Sequence, residues 1–267
     1  MRQTDRPPDP PAAGWAARYL VSARKTVAAE RSSEADTQLG LVLTFVAGAI
    51  NAGGFLAVGQ YTSHMSGILS AMADNLALGA LGLAVAGLLA LLAFTAGAAC
   101  SAILINWGRR RDLGEFYALP LGLEAALLFG FGPLGSVAQG TPSFTPAAIL
   151  LLCFIMGLQN ATITKVSGAR IRTTHVTGIV TDIGIELGKL VYWNRDRSRP
   201  EAFVRADRPK LRLLAGLLAS FFVGGVAGAI AFGSWGYAAC IPLALVLLVL
   251  AGPSFVSGFR TRRRYTL

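Results

Sequence analysis

A polar cassette written twice inside an otherwise apolar sequence constrains this chain most. Asn51-Ala52 is followed by Thr62-Ser63-His64-Met65-Ser66-Gly67, with thirteen residues from Asn51 to His64. Asn160-Ala161 is followed by Thr173-Thr174-His175-Val176-Thr177-Gly178, with fifteen residues from Asn160 to His175. The chain has only 2 histidines, and both fall at the same place in this pattern. Such a repeat predicts two copies of one membrane unit facing each other. Many transporters and channels build a site near the bilayer midplane in this way.

Composition places the chain in a bilayer. Hydrophobic residues make up 54% and charged residues only 14%, against about 25% charged in soluble domains. A net charge of +10 would suit a nucleic-acid partner, but its distribution argues against one. No Lys or Arg occurs in residues 32–108 or 112–164. The basic residues form blocks at the edges of apolar runs, where they meet a membrane surface and anionic lipid. Cys100, Cys153 and Cys240 all lie inside apolar runs without CxxC spacing. They read as small packing residues, and no disulfide, metal or other cofactor is expected.

The apolar segments are residues 39–58, 66–81, 84–105, 116–137, 147–164, 174–193, 211–232 and 237–255. A helical span needs about 20 apolar residues. The second and sixth segments fit poorly: one contains Asp74 and Asn75, the other Asp182, Glu186 and Lys189. Cytoplasmic loops are enriched in Lys and Arg, which separates two topologies. If all eight segments cross, giving two parallel repeats of four, Arg109, Arg110 and Arg111 fall outside together with Lys165, Arg170 and Arg172. If the second and sixth enter and leave on one side, every basic block lies inside. The favoured fold is therefore an all-α polytopic membrane protein of two inverted repeats, each with three spans plus one re-entrant or broken helix.

The corresponding map is a cytoplasmic tail (1–38), membrane repeat 1 (39–137), an external linker (138–146), membrane repeat 2 (147–258) and a basic cytoplasmic tail (259–267). Both termini are then cytoplasmic. Trp15, Arg18, Tyr19, Arg24 and Lys25 are candidates for a short interfacial helix in the first tail, with simple disorder the alternative. The repeat extends beyond the cassettes. Residues 45–52 align with 154–161, residues 94–99 with 222–227, and Tyr117-Ala118 with Tyr237-Ala238. Gly224 and Gly228, spaced GxxxG with Ala96 and Cys100 opposite them, suggest close helix packing across a pseudo-twofold axis.

The cassettes also carry a resemblance. Asn51-Ala52 with 63–67, and Gly157-Leu158-Gln159-Asn160-Ala161 with 173–178, resemble the YoaK-type family of small bacterial membrane proteins, a domain of unknown function. The resemblance covers roughly residues 39–255. It implies a bacterial inner (plasma) membrane location and a permease-like role, and supplies no established substrate or catalytic residue. The first cassette departs from the pattern at Ser66, where Thr is expected, and at Ile68, where Asn is expected.

Broken backbone in a bilayer is tolerated where it is buried in protein or lines water. Ser63 and Thr174 are candidate helix N-caps. Helices starting there would aim backbone N–H groups, with the Ser66 and Thr177 hydroxyls, at an anionic or strongly polar solute. His64 and His175 could donate to it or carry a proton. Asn51, Gln159 and Asn160 offer donors and acceptors at the end of the preceding span. The same residue types also bridge helices simply to hold a bundle together. Among the acids, Asp182, Glu186 and Glu124 are candidates for proton or cation coupling, since ionised groups inside membranes usually face an interior or a partner. Glu186 with Lys189 could instead be a plain ion pair.

Other apparent motifs carry little. Residues 130–135 match GxGxxG, but Pro133 interrupts them and no strand precedes them. Asn160-Ala161-Thr162 is a sequon on the cytoplasmic side. No HExxH, GxSxG or CxxC points to an enzyme. The expected function is a transporter or channel for a small polar solute, anionic ones included, with lipid and solute as partners. The alternatives are a non-transporting scaffold or sensor and, more remotely, an intramembrane enzyme.

Overall fold

A computed structural model describes residues 33–111, 113, 116–193 and 203–251. The two tail segments, including the interfacial-helix candidate, lie almost wholly outside the described residues. Seven helices follow in order: α1 (Ser33–Val58), α2 (Met65–Ala77), α3 (Leu81–Arg110), α4 (Ala118–Ala138), α5 (Phe144–Val166), α6 (Val176–Val191) and α7 (Arg208–Trp235). A 3-10 turn, Gly236–Ala239, then leads into α8, residues 240–251. No strand occurs among the described residues.

Among the described residues, five helical stretches are long and apolar enough to cross a bilayer: Glu34–Val58, Leu81–Arg110, Ala118–Ala138, Phe144–Val166 and Arg208–Ala251. The last is not one rod. Gly236 adopts φ 55°, a conformation open to glycine, and the turn there separates α7 from α8. The short helices lie at the second and sixth segments. With 13 and 16 residues, α2 and α6 extend about 20 and 24 Å, short of a hydrocarbon core of about 30 Å.

Two close helix pairs organise the core. Along α1 and α7, Ser220 Oγ donates to Leu41 O at 2.7 Å, Gly224 lies on Phe45, Gly228 on Ala49, and Gly53 on Phe232. Both residue numbers rise together, so the two helices are parallel. Along α3 and α5, Gly97 lies on the Phe154 carbonyl and Gly157 on the Phe94 carbonyl. Ser101 Oγ and Thr162 Oγ1 share a hydrogen bond of 2.9 Å. This pair is parallel too. A Cβ on Gly48, Gly97, Gly157 or Gly224 would collide with the facing carbonyl oxygen, so glycine sets the interhelical distance. Between the pairs, Gly54 of α1 meets Leu152 of α5, and Gly40 meets Ile171 just beyond α5; α1 and α5 are antiparallel.

These contacts correct two sequence expectations. The glycines of α7 face α1; they do not meet α3 across an axis. A glycine pattern reports close approach and leaves the partner open. The correspondence of the third segments also shifts by one residue. Gly48 packs on Phe221 as Gly157 packs on Phe94, which matches residues 94–99 with 221–226.

The ends of the bundle differ in chemistry. At one end Tyr237 stacks edge-on against Phe131 and Phe144 and donates its hydroxyl to Ala57 O at 3.1 Å. The opposite end gathers the last turns of α3 and α5 and the first turns of α1 and α7. It carries Arg109, Arg110, Lys165, Arg208, Lys210 and Arg212.

Candidate functional site

Each cassette begins where a long helix ends. Beyond α1 the chain turns at Gly59 (φ 74°) and doubles back. Asn51 Oδ1 accepts from Ser63 N at 3.2 Å and from Ser63 Oγ at 2.8 Å. The returning segment is thereby clamped to the helix it left, and α2 starts beside the middle of α3. Ile68, Met65 and Met72 pack there with Ala90, Ala93 and Phe94.

The second cassette repeats this construction. After α5 the chain turns at Gly168 (φ 59°) and Ala169 (φ 67°). Asn160 Oδ1 accepts from Thr173 Oγ1 at 3.2 Å and Thr174 Oγ1 at 3.0 Å. Asn160 Nδ2 donates to Thr174 Oγ1 at 2.8 Å and Met156 O at 3.0 Å. Here α6 leaves His175 and packs on α7.

The expected N-caps are corrected. His64 and His175 stand at the N-cap positions, and neither makes a side-chain cap bond. Ser63 and Thr174 engage the asparagines instead, because an amide one helix away offers a better-placed partner than the next turn of backbone. The first N–H groups of α2 and α6 consequently have no side-chain cap. Sequence reasoning also missed the role of the closing glycines. A Cβ on Gly67 would strike the His64 ring, and one on Gly178 the His175 ring. Each imidazole lies folded over the first turn of its helix. The repeated His-x-x-Gly spacing was the available signal.

His64, Ser66, His175 and Thr177 are all exposed on the isolated chain, while Asn51 and Asn160 are half-buried. No hydrogen bond joins the first cassette to the second among the described residues. Because α2 is held by α3, and α6 by α7, each cassette opens onto the surface of the chain.

The acids fall into two places. Glu124 on α4 and Gln159 on α5 are fully buried, and Gln159 Nε2 donates to Glu124 Oε1 at 2.9 Å. Glu186 lies at the basic end of α6. It accepts from Lys189 Nζ at 2.9 Å and from Asp207 N at 2.8 Å, with Lys210 Nζ at 3.9 Å. The Lys189 ammonium first, then the Asp207 N–H, hold its carboxyl below the ordinary carboxylate range. Lys210 Nζ also lies 3.5 Å from Asp182 Oδ2. These groups clasp α6 to the start of α7. Cys153 and Cys240 are buried among apolar side chains and Cys100 is half-buried, as packing residues would be.

Long apolar helices, two short helices between them, and polar cassettes at the breaks define a polytopic membrane protein. The chain belongs to the family described as Protein of unknown function (DUF1275), whose model matches residues 39–252. That is the family its cassettes resemble. No curated protein and no solved structure matches it.

Proposed function

We propose that the protein is an inner-membrane channel or transporter that carries a small polar solute, anionic ones included, past its two cassettes. Its halves are inverted copies, with α2 and α6 re-entering from opposite faces and both termini cytoplasmic. The antiparallel course of α1 and α5, and the matched α1–α7 and α3–α5 pairs, support the inversion. The basic end suits the cytoplasmic face.

The observation that carries the functional reading is the pair of uncapped helix starts at His64 and His175, each reached by a chain that has turned back along the bundle. Their free N–H groups and positive helix ends favour a partly negative ligand. The Ser66 and Thr177 hydroxyls lie one turn away. Exposed polar groups at bilayer depth require water, solute or a neighbouring chain, so the path runs along the cassettes as a wetted groove. In this scheme His64, Ser66, His175 and Thr177 contact solute, and Asn51 and Asn160 position them. Gln159 stands behind Asn160 in the core. Asp182 and Glu186 hold α6 in place at the inner mouth, and coupling to an ion, where it occurs, falls to the acids Asp182, Glu186 and Glu124.

Flux into liposomes containing the purified protein tests the proposal. A panel of small anions and neutral polar solutes identifies the transported one. His64→Ala with His175→Ala is expected to slow it roughly 30-fold, the loss of about 1 kcal/mol for each of two contacts. Wild-type flux in the double variant overturns the assignment.

A further inference from the structure

The buried Glu124–Gln159 pair has an unfinished hydrogen-bond account. Gln159 Nε2 donates to Glu124 Oε1, yet Glu124 Oε2 and Gln159 Oε1 are both buried without a partner. As an ionised carboxylate, Glu124 would leave both of these acceptors, one on each member of the hydrogen-bonded pair, without a donor. It would also place an unpaired charge in the apolar interior of a membrane protein, which such proteins avoid. The charged side chains on the elements packed against α4 are Arg109 and Arg110 on α3 and Lys165 on α5, all exposed at helix ends. None forms an ion pair with Glu124 among the described residues.

We propose that Glu124 and Gln159 form a proton-binding site in which one bound proton completes a reciprocal acid–amide pair. With the proton on Oε2, the carboxylic acid donates to Gln159 Oε1 while Gln159 Nε2 donates to Oε1. A single hydrogen removes both orphan acceptors. The site joins α4 of the first half to α5 of the second, one residue from the Asn160 that holds the second cassette. It exists once: the corresponding positions in the other half are Ile50 and Ala244, both buried. The inference rests on the fold and goes beyond the transport reading, which can fail without it.

Infrared spectroscopy of the full-length protein in lipid tests it. At neutral pH the wild type is expected to show a protonated-carboxyl C=O band that shifts in D2O and disappears in Glu124→Gln. That variant should keep the wild-type melting temperature, because two amides can make the same reciprocal pair. Gln159→Leu should move the band to the higher frequency of a carboxylic acid with no amide partner. If the Glu124→Gln difference spectrum instead lacks a protonated-carboxyl band and loses a carboxylate band, the site is ionised and the proposal is overturned. A band present but unmoved by Gln159→Leu overturns the pairing.

Discussion

In the first cassette Asn51 receives two hydrogen bonds, both from Ser63. In the second, Asn160 is engaged by Thr173, Thr174 and the Met156 carbonyl. Thr62 and Thr173 occupy the same place, two residues before each histidine, and both are fully buried. Thr173 donates to Asn160, whereas the Thr62 hydroxyl has no partner. The second half also holds its short helix with Glu186, Lys189 and Lys210, while α2 bears an exposed Asp74. Both halves keep the turn, the imidazole over glycine and the close helix pair. They differ in how completely their polar groups are satisfied, so the backbone plan is shared while the second half is tied down more firmly.

The largest effect should fall where the halves are most alike. Leucine at Gly48 or Gly157 would drive a side chain into a facing backbone carbonyl. Overpacking commonly costs about 1–3 kcal/mol, and a backbone obstacle that cannot rotate away puts these sites at the top of that range. Gly48→Leu and Gly157→Leu should lower the melting temperature in detergent by similar amounts. If only one does, the two interfaces are not equivalent.

The threonines separate the halves. Removing both a buried hydroxyl and its bond costs roughly 0.5–1.5 kcal/mol, whereas removing an orphan costs little or stabilises. Thr173→Val should therefore lower the melting temperature, and Thr62→Val should leave it unchanged or raise it. Equal losses would mean that Thr62 has a partner in the folded protein, such as a buried water.

Much of the plan could be read from the chain. The charged or polar residues Asp74, Asn75, Asp182 and Glu186 marked the two segments that form short helices, whereas run length did not, since residues 174–193 are no shorter than the run at 147–164. The Glu186–Lys189 pair followed from helical spacing. Tertiary partners did not follow. Ser63 and Thr174 carry cap chemistry, and only their distance from Asn51 and Asn160 in space shows that the amide wins. Glu124 and Gln159 lie 35 residues apart on different helices, so periodicity says nothing of their meeting. The α7 glycines announced a close contact, but the choice between α1 and α3 depends on how the two halves interleave.

The smallest expected effect concerns acid. The Lys189 ammonium and the Asp207 N–H depress the folded-state titration of Glu186. A depressed carboxyl contributes stability above its unfolded value, about 4.3. That contribution is lost as pH falls from there through the lower folded value, because the unfolded chain takes up the proton first. Lys189 and Lys210 are 38% and 42% exposed, so solvent screens the pair and the contribution is modest. Melting curves between about pH 5 and 3 should fall less steeply in Glu186→Gln than in the wild type. Asp74→Asn breaks no ion pair among the described residues and serves as the matched change in the first half. Equal flattening by both substitutions would remove the clasp as the source of the difference and return the two short helices to the same footing.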